Sequence, residues 1–360
     1  MTDGLEDVVA AETVLSDVDG LAGRLIVRGQ PLEALAGHST YAQVLSLLWD
    51  GFFPALPADL SLPLGEARQR VYALTERELP LLADRPVYDG MRALIARLPD
   101  ETDLDSALLL AAAPAVLLPA LPRLRAGAAP IAPDAALGHA TDMLRMATGV
   151  VPRPEAAAAL DTYLVTVADH GLNASTFAAR VIASTQAGLN SAVLGALGAL
   201  KGALHGGAPG PVLDMLDAIG APSNAESWID AELARGGRLM GFGHRIYRVR
   251  DPRADALKAA LGRIHKVGAV NADRMALADA VETTALAALR RHKPDRQLDT
   301  NVEFYTALLL EALGFPRDAF TAVFAAGRVG GWIAHAKEAG QGRLIRPKSR
   351  YVGPMPRKAA

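Results

Sequence analysis

The sequence predicts an all-α fold that carries one short β-hairpin near its N-terminus. Hydrophobic residues make up 51% of the 360 positions and charged residues 21%, an ordinary globular composition with enough apolar material for a sizeable core. Aromatic residues total only 5%, while Ala and Leu dominate, which favours packed helices over sheets. No block repeats at a fixed period, so a helical solenoid is not expected.

The strand pattern lies close to the start of the chain. Residues 13–16 and 25–29 contain β-formers, and residues 17–20 between them supply turn formers. We expect these segments to form the hairpin.

Apolar residues at helical spacing then predict a series of helices. The clearest stripes are Val44, Leu45, Leu47 and Leu48; Leu160, Tyr163, Leu164 and Val167; and Leu308, Leu309, Ala312 and Leu313. Small residues dominate positions 175–204, which suits either the centre of a helical layer or a subunit interface. Residues 205–211 hold two prolines and three glycines, so they should break the helical pattern and form a hinge between domains. A new amphipathic helix starts at Val212.

Composition also excludes several classes of protein. The formal net charge of −2 gives no reason to expect a nucleic-acid partner. Cysteine is absent, which rules out disulfides and Cys-ligated zinc and suits a reducing compartment. The apolar tract 107–121 is interrupted by Pro114 and Pro119, so we expect it to be too short and broken to cross a membrane. These features predict a soluble, cytoplasmic protein.

Known nucleotide and hydrolase motifs do not occur. Gly241 and Gly243 lack the third glycine and the preceding strand of a dinucleotide-binding loop. The chain also lacks a Walker A loop, an HExxH zinc motif and a GxSxG nucleophile elbow.

Two histidines stand at the ends of predicted helices. His170 follows the helix that contains Val167, where a histidine is often only a favourable C-terminal residue. His205 precedes Gly206 and Gly207, which would let a ligand approach the backbone but could equally serve only to stop a helix.

Two further clusters carry charge. His244 lies between Gly243 and a run of four arginines that ends at Arg253, a density of guanidinium groups suited to carboxylates and phosphates, although a charge run is often a solvated loop. Glu303 opens the helix that contains Leu308. Its aromatic neighbours favour a desolvated carboxylate with a raised pKa, hence a general base, whereas the simpler alternative is a favourable first-turn acid.

Together and in this order, these clusters resemble the citrate synthase family over most of the chain. The motifs that carry the resemblance are Leu204-His205-Gly206-Gly207, Gly241-Phe242-Gly243-His244-Arg245 with Asp251-Pro252-Arg253, Asn301-Val302-Glu303-Phe304, Arg328, and Arg346-Pro347-Lys348-Ser349. At the position of Glu303 the family usually has aspartate.

The resemblance implies roles for individual residues. His205 would stabilise the enol of acetyl-CoA, His244 would polarise the ketone of oxaloacetate, and Glu303 would be the base. The oxaloacetate carboxylates would be held by His170, Arg253, Arg328 and, from a partner subunit, Arg346. Arg248 and, as a weaker candidate, Lys293 would contact CoA. No metal or cofactor is implied, since acetyl-CoA is a substrate.

The resemblance also implies an architecture and a reaction. A large helical domain would comprise residues 1–206 and 313–360, and a small mobile domain residues 207–312, in a homodimer. The enzyme would act as an acyltransferase of the tricarboxylic acid cycle, making citrate from acetyl-CoA, oxaloacetate and water. Two alternatives stay open: a 2-methylcitrate synthase that uses propionyl-CoA, and a non-catalytic paralogue that binds CoA or dicarboxylates, for which Glu303 is the supporting feature.

Overall fold

The computed structural model describes residues 8–206, 209–243, 247, 249–268, 270–296 and 298–355. A small antiparallel sheet, in the order β1-β2-β3, opens the chain. Its strands are β1 (Ser16–Asp19), β2 (Arg24–Val27) and β3 (Gln30–Pro31). Most of the remaining elements are helices. The helices are α1 (Leu32–Leu35), α2 (Tyr41–Trp49), α3 (Ser61–Thr75), α4 (Val87–Ile95), α5 (Leu104–Arg125), α6 (His139–Thr148), α7 (Pro154–Val167), α8 (Ala174–Ala183), α9 (Leu189–Leu200), α10 (Pro209–Ile219), α11 (Ala225–Ala234), α12 (Pro252–Lys266), α13 (Ala272–His292), α14 (Val302–Ala312) and α15 (Phe320–Gly340). The all-α prediction is confirmed.

The hairpin exists, but its first strand was placed wrongly. β1 begins at Ser16, where the predicted strand should have ended, and pairs Ser16 with Val27 and Asp19 with Arg24. Asp19 ends the strand because its carboxylate accepts hydrogen bonds from the backbone N–H groups of Leu21 and Ala22, at 3.1 and 2.9 Å. The turn therefore lies at residues 20–23. The short strand β3 was not predicted.

Helix α5 corrects the reading of the apolar tract. It runs unbroken over 22 residues although Pro114, Pro119 and Pro122 lie inside it. It is long and apolar enough to cross a membrane, yet 89% of its most apolar window is buried inside the protein. α5 packs against α3, α4, α6 and α15, so it is the core helix of the molecule. Tertiary packing of this kind can outweigh the backbone hydrogen bonds that prolines remove.

The small residues of α8 and α9 serve close helix packing. A Cβ atom on Gly195 would lie 2.1 Å from Cδ1 of Ile182, so a larger residue there would force the Ile182 side chain to move. Both helices also pack against α15. The expectation of a tightly packed helical layer is confirmed, while a subunit interface stays a prediction.

The three predicted apolar stripes lie on α2, α7 and α14 and contribute to the core. The predicted break at residues 205–211 is displaced, because α9 already ends at Leu200 and α10 begins at Pro209 rather than at Val212. Proline is well tolerated in the first turn of a helix, where its missing N–H has no partner to lose. α12 contacts both α14 and α7. The division into a large and a small domain stays a prediction.

Candidate active site

Arg328 lies in the middle of α15 and is fully buried, with 0% of its surface exposed. Its Nε donates a hydrogen bond to the carbonyl of Val167, and its guanidinium stacks 4.8 Å from the ring centre of Phe324. Among the described residues neither Nη1 nor Nη2 has a hydrogen-bond partner. Burial lowers the pKa of Arg328 to about 10. A buried cation with two unused donor groups is suited to bind an anion.

Glycines bring α15 close enough to α7 for this contact. A Cβ atom on Gly331 would lie 2.2 Å from the carbonyl oxygen of Ala168, and one on Gly327 would lie 3.0 Å from that of Leu164. Substitution would separate the helices and withdraw Arg328 from the end of α7. The glycines around Arg328 are therefore part of the site's construction.

His170 follows α7, as predicted, and is partly exposed. Burial in the surrounding protein, followed by the positive charges of Arg328 and Arg253, lowers its pKa well below the usual value. Gly171 makes the turn after it with a φ of 80°. At neutral pH His170 is uncharged, so it can donate one hydrogen bond without adding charge.

Arg253 enters from the first turn of α12. It is 5% exposed, and its Nε and Nη2 donate to the two carboxylate oxygens of Asp251 at 2.9 and 2.8 Å. Asp251 also caps α12 and accepts a hydrogen bond from the backbone N–H of Val302 at 3.3 Å. One carboxylate thus joins the start of α12 to the start of α14.

Glu303 lies in the first turn of α14. Asn301 caps this helix by accepting from the N–H of Glu303 at 3.0 Å, and its own Nδ2 donates to the carbonyl of Gly243 at 2.7 Å. Burial raises the pKa of Glu303 to about 7, and Asp251 adds to the effect, although the charges of Arg253 and Arg328 oppose it. The raised pKa favours a desolvated carboxylate over the simpler alternative of a first-turn acid, and the catalytic role of Glu303 stays a prediction. A carboxylate of this pKa is suited to general-base catalysis near neutral pH.

His205 lies beyond α9, and its Nε2 is 2.7 Å from Oγ of Ser175. Nε1 of Trp332 donates to the same hydroxyl at 3.2 Å. Burial and the charge of Arg328 lower the pKa of His205 to about 4, so the imidazole is neutral. Because Nε2 is in contact with Ser175, Nδ1 is the ring nitrogen that remains for a hydrogen bond to a bound ligand.

The structure brings together a subset of the predicted site residues. His170, His205, Arg253, Glu303 and Arg328 form one electrostatically coupled cluster in which the charges of the two arginines reach the other groups. His244 and Arg248 lie outside the described residues. Their roles stay predictions.

The two remaining candidates lie away from this cluster. Lys293 lines a cavity of about 360 Å³ together with Arg238 and Arg296, beside Phe242 and Gly243. Arg346 is exposed in the extended segment that follows α15. In the described part of the chain, no group of three His, Asp or Glu side chains is arranged to hold a metal ion.

Sequence reasoning missed a buried polar chain behind His170. Asp169 accepts from Oγ of Ser16 at 2.6 Å and lies 3.2 Å from Nε2 of His335, whose Nδ1 is 2.9 Å from Nη1 of Arg180. Because an arginine can only donate, Nδ1 must accept, and the proton of a neutral His335 sits on Nε2 and points to Asp169. Polar residues in the otherwise apolar helices α8 and α15 were the available signal.

Comparison with known proteins identifies the family. Residues 4–348 match the model described as citrate synthase, C-terminal domain. A putative citrate synthase 2 of Mycobacterium tuberculosis is 39% identical over 98% of this chain and 93% of its own length. A 2-methylcitrate synthase of the same organism is also 39% identical, over 97% of this chain and 90% of its own length.

A solved structure agrees over the whole chain. It is the ternary complex of carboxymethyl coenzyme A and oxaloacetate with citrate synthase from Thermoplasma acidophilum, with a TM-score of 0.85 and 29% identity, covering 100% of this chain and 98% of the other. The chain therefore belongs to the citrate synthase family, a family of condensing enzymes of the transferase type.

Proposed function

We propose that this protein is a citrate synthase that condenses acetyl-CoA with oxaloacetate and water to give citrate and CoA. The observation that carries the proposal is a carboxylate of pKa about 7, Glu303, beside the buried arginines Arg253 and Arg328. The pairing suits a reaction in which a dianion is bound and a weakly acidic proton is removed. The absence of cysteine is compatible with the cytoplasmic location that we propose.

In this proposal oxaloacetate is the anion that Arg253 and Arg328 bind. The unused Nη groups of Arg328 would receive one carboxylate, and Arg253 and His170 would complete the pocket. We propose that Arg346 is contributed by the second subunit of a homodimer, because its exposure at the end of the chain leaves it accessible to a neighbour. Neutralising both carboxylates in a buried site orients the ketone for attack.

Proton abstraction would involve Glu303 and His205. Glu303 takes a proton from the methyl group of acetyl-CoA, and His205 donates a hydrogen bond from Nδ1 to the thioester oxygen as the enol forms. For Nδ1 to carry the proton, the hydroxyl of Ser175 has to donate to Nε2 of His205, which fixes the tautomer, and to give up the hydrogen bond that it donates to Oδ1 of Asn173 at 2.8 Å. Nε1 of Trp332 donates to the same hydroxyl in either orientation.

Condensation and hydrolysis complete the reaction. The enol carbon bonds to the ketone carbon of oxaloacetate while the enol hydroxyl returns its proton to Nδ1 of His205, and His244 donates a proton to the developing alkoxide. Water then cleaves the thioester of the citryl-CoA intermediate, releasing citrate and CoA. Arg248 and Lys293 are the proposed contacts to CoA phosphates, and the basic cavity beside Phe242 supports Lys293 in that role.

A second candidate is favoured by one observation. The 2-methylcitrate synthase relative is as similar to this chain as the citrate synthase relative is, so propionyl-CoA is a competing donor. A thiol-release assay with oxaloacetate and either acyl-CoA tests both. We expect kcat/KM to be higher with acetyl-CoA. A preference for propionyl-CoA would establish the second function, and no thiol release with either donor would establish a non-catalytic protein.

The shared site has its own test. We expect Arg346→Ala and His244→Ala proteins to be inactive separately and to regain activity when their subunits are mixed, because one of the two sites in a heterodimer carries neither change. Subunit exchange is verified by mass. Confirmed exchange without recovered turnover would place Arg346 in its own subunit's site or outside any site.

A further inference from the structure

A second buried carboxylate, Glu282, lies behind the site on α13 and is only 5% exposed. It accepts hydrogen bonds from the hydroxyl of Tyr305 at 2.6 Å and from that of Thr300 at 2.8 Å. These two residues stand on either side of Glu303 in sequence. The carboxylate therefore holds both ends of the short segment that carries the proposed base.

The same carboxylate also holds the element that carries Arg253. Nζ of Lys258, on α12, donates to it at 2.7 Å, and Nη1 of Arg250, just before α12, donates at 3.3 Å. Arg250 pairs further with Asp255 at 2.6 Å. Arg250 belongs to the four arginines for which the sequence predicted carboxylate or phosphate partners, and it pairs with carboxylates of the protein itself.

The charge state of Glu282 fits this role. Burial by itself favours the neutral carboxyl, but the hydrogen bonds from Lys258, Tyr305 and Thr300 outweigh it and lower the pKa to about 2. Glu282 is therefore ionised wherever Glu303 titrates. A fully satisfied buried network of this kind is rigid.

We propose that Glu282 is a positioning residue that fixes Glu303 relative to the substrate-binding Arg253, an inference that rests on the proposed function for the roles of those two residues. Proton abstraction depends on the distance between base and methyl carbon, and a displacement of about 1 Å costs on the order of a hundredfold. Glu282 touches neither proposed substrate. It acts through α12 and α14.

Two substitutions test the proposal by steady-state kinetics with acetyl-CoA and oxaloacetate. Glu282→Gln should lower kcat about tenfold or more, while both KM values change less than about threefold, because Arg253 keeps its paired hydrogen bonds to Asp251 whereas the segment that carries Glu303 loses its anchor. Tyr305→Phe removes a single hydroxyl without changing charge and should lower kcat in the same way but less. Tyr305→Phe also tests the positioning role of Glu282 if the Glu282→Gln protein does not fold.

Glu311→Gln is the matched control. Glu311 lies at the other end of α14, is more exposed than Glu282 and pairs with Arg274 at 2.8 Å, so the variant loses an ion pair on the same helix but at the end away from Glu303. It should keep the wild-type kcat. Equal losses of kcat in Glu311→Gln and Glu282→Gln, or wild-type kcat in both Glu282→Gln and Tyr305→Phe, would overturn the proposal.

A readout without turnover separates this proposal from the proposed function. In hydrogen-exchange mass spectrometry, Tyr305→Phe should accelerate exchange at the start of α14 about tenfold or more, and leave the end of α14 unchanged. An inactive wild-type protein would refute the citrate synthase function alone. Unchanged exchange at the start of α14 would refute the positioning role of Glu282, whatever the activity.

Discussion

The rate of thiol release should increase as the pH rises through neutrality, because the proposed base, Glu303, is protonated below its pKa and cannot then accept a proton. With a pKa of about 7 for Glu303, the ionised fraction is ~9% at about pH 6 and ~91% at about pH 8. We therefore expect kcat/KM for thiol release to rise about tenfold between these two pH values and then to level off. The two neighbouring histidines cannot mimic this rise, since the pKa of His205 is about 4 and that of His170 is well below its usual range.

The assay is thiol release with oxaloacetate and acetyl-CoA over about pH 5.5 to 8.5. Thermal unfolding gives an independent check: between its ordinary pKa and about 7, Glu303 binds more proton in the folded state, so its contribution to stability falls as the pH rises. Glu303→Gln should therefore gain stability over the wild type towards pH 8 and lose that advantage towards pH 5. A flat rate profile, or a rate that falls as the pH rises through 7, would refute a neutral-pKa base.

Two further substitutions test the construction of the site. Ser175→Ala should lower kcat about tenfold or more while oxaloacetate binding persists, because His205 loses the hydroxyl that fixes its tautomer. The control Ser46→Ala removes only a hydroxyl bonded to the backbone of α2 and should leave kcat unchanged. An unchanged kcat in Ser175→Ala would contradict the assigned role. Gly331→Ala should destabilise the protein by about 1–3 kcal/mol and reduce activity, since its Cβ would collide with Ala168. Gly198→Ala in α9, which has open space around it, should be neutral or slightly stabilising by denaturant unfolding, and an equal loss in both variants would contradict the packing argument.

The elements that sequence predicted well are those decided by local pattern. The stripe of Leu160, Tyr163, Leu164 and Val167 predicted α7, and Glu303 as a first-turn acid before the stripe at Leu308 predicted the start of α14, because apolar spacing and helix-end electrostatics act over a few residues. For Glu303 the sequence left two alternatives open, a first-turn acid and a desolvated carboxylate, and the raised pKa favours the second.

What the sequence could not supply depends on contacts between distant segments. The prolines of α5 predict a break, but burial on several sides keeps the helix continuous. The hydrogen bond between Asp169 and His335 joins positions 166 residues apart, and nothing local to either one indicates it. Likewise the role of Arg250 is decided by Glu282 on another helix. Such pairings are consequences of the fold.

The most direct test of the central claim compares Glu303→Gln with Glu303→Asp in the thiol-release assay, with oxaloacetate binding measured by calorimetry. Glutamine keeps shape and polarity but cannot take a proton, so turnover should fall about a thousandfold or more while oxaloacetate still binds. Aspartate, the residue that the family usually has here, should retain activity or lose it only partly. Turnover of Glu303→Gln at the wild-type rate would show that the proton leaves to another group, and would contradict the account at its centre.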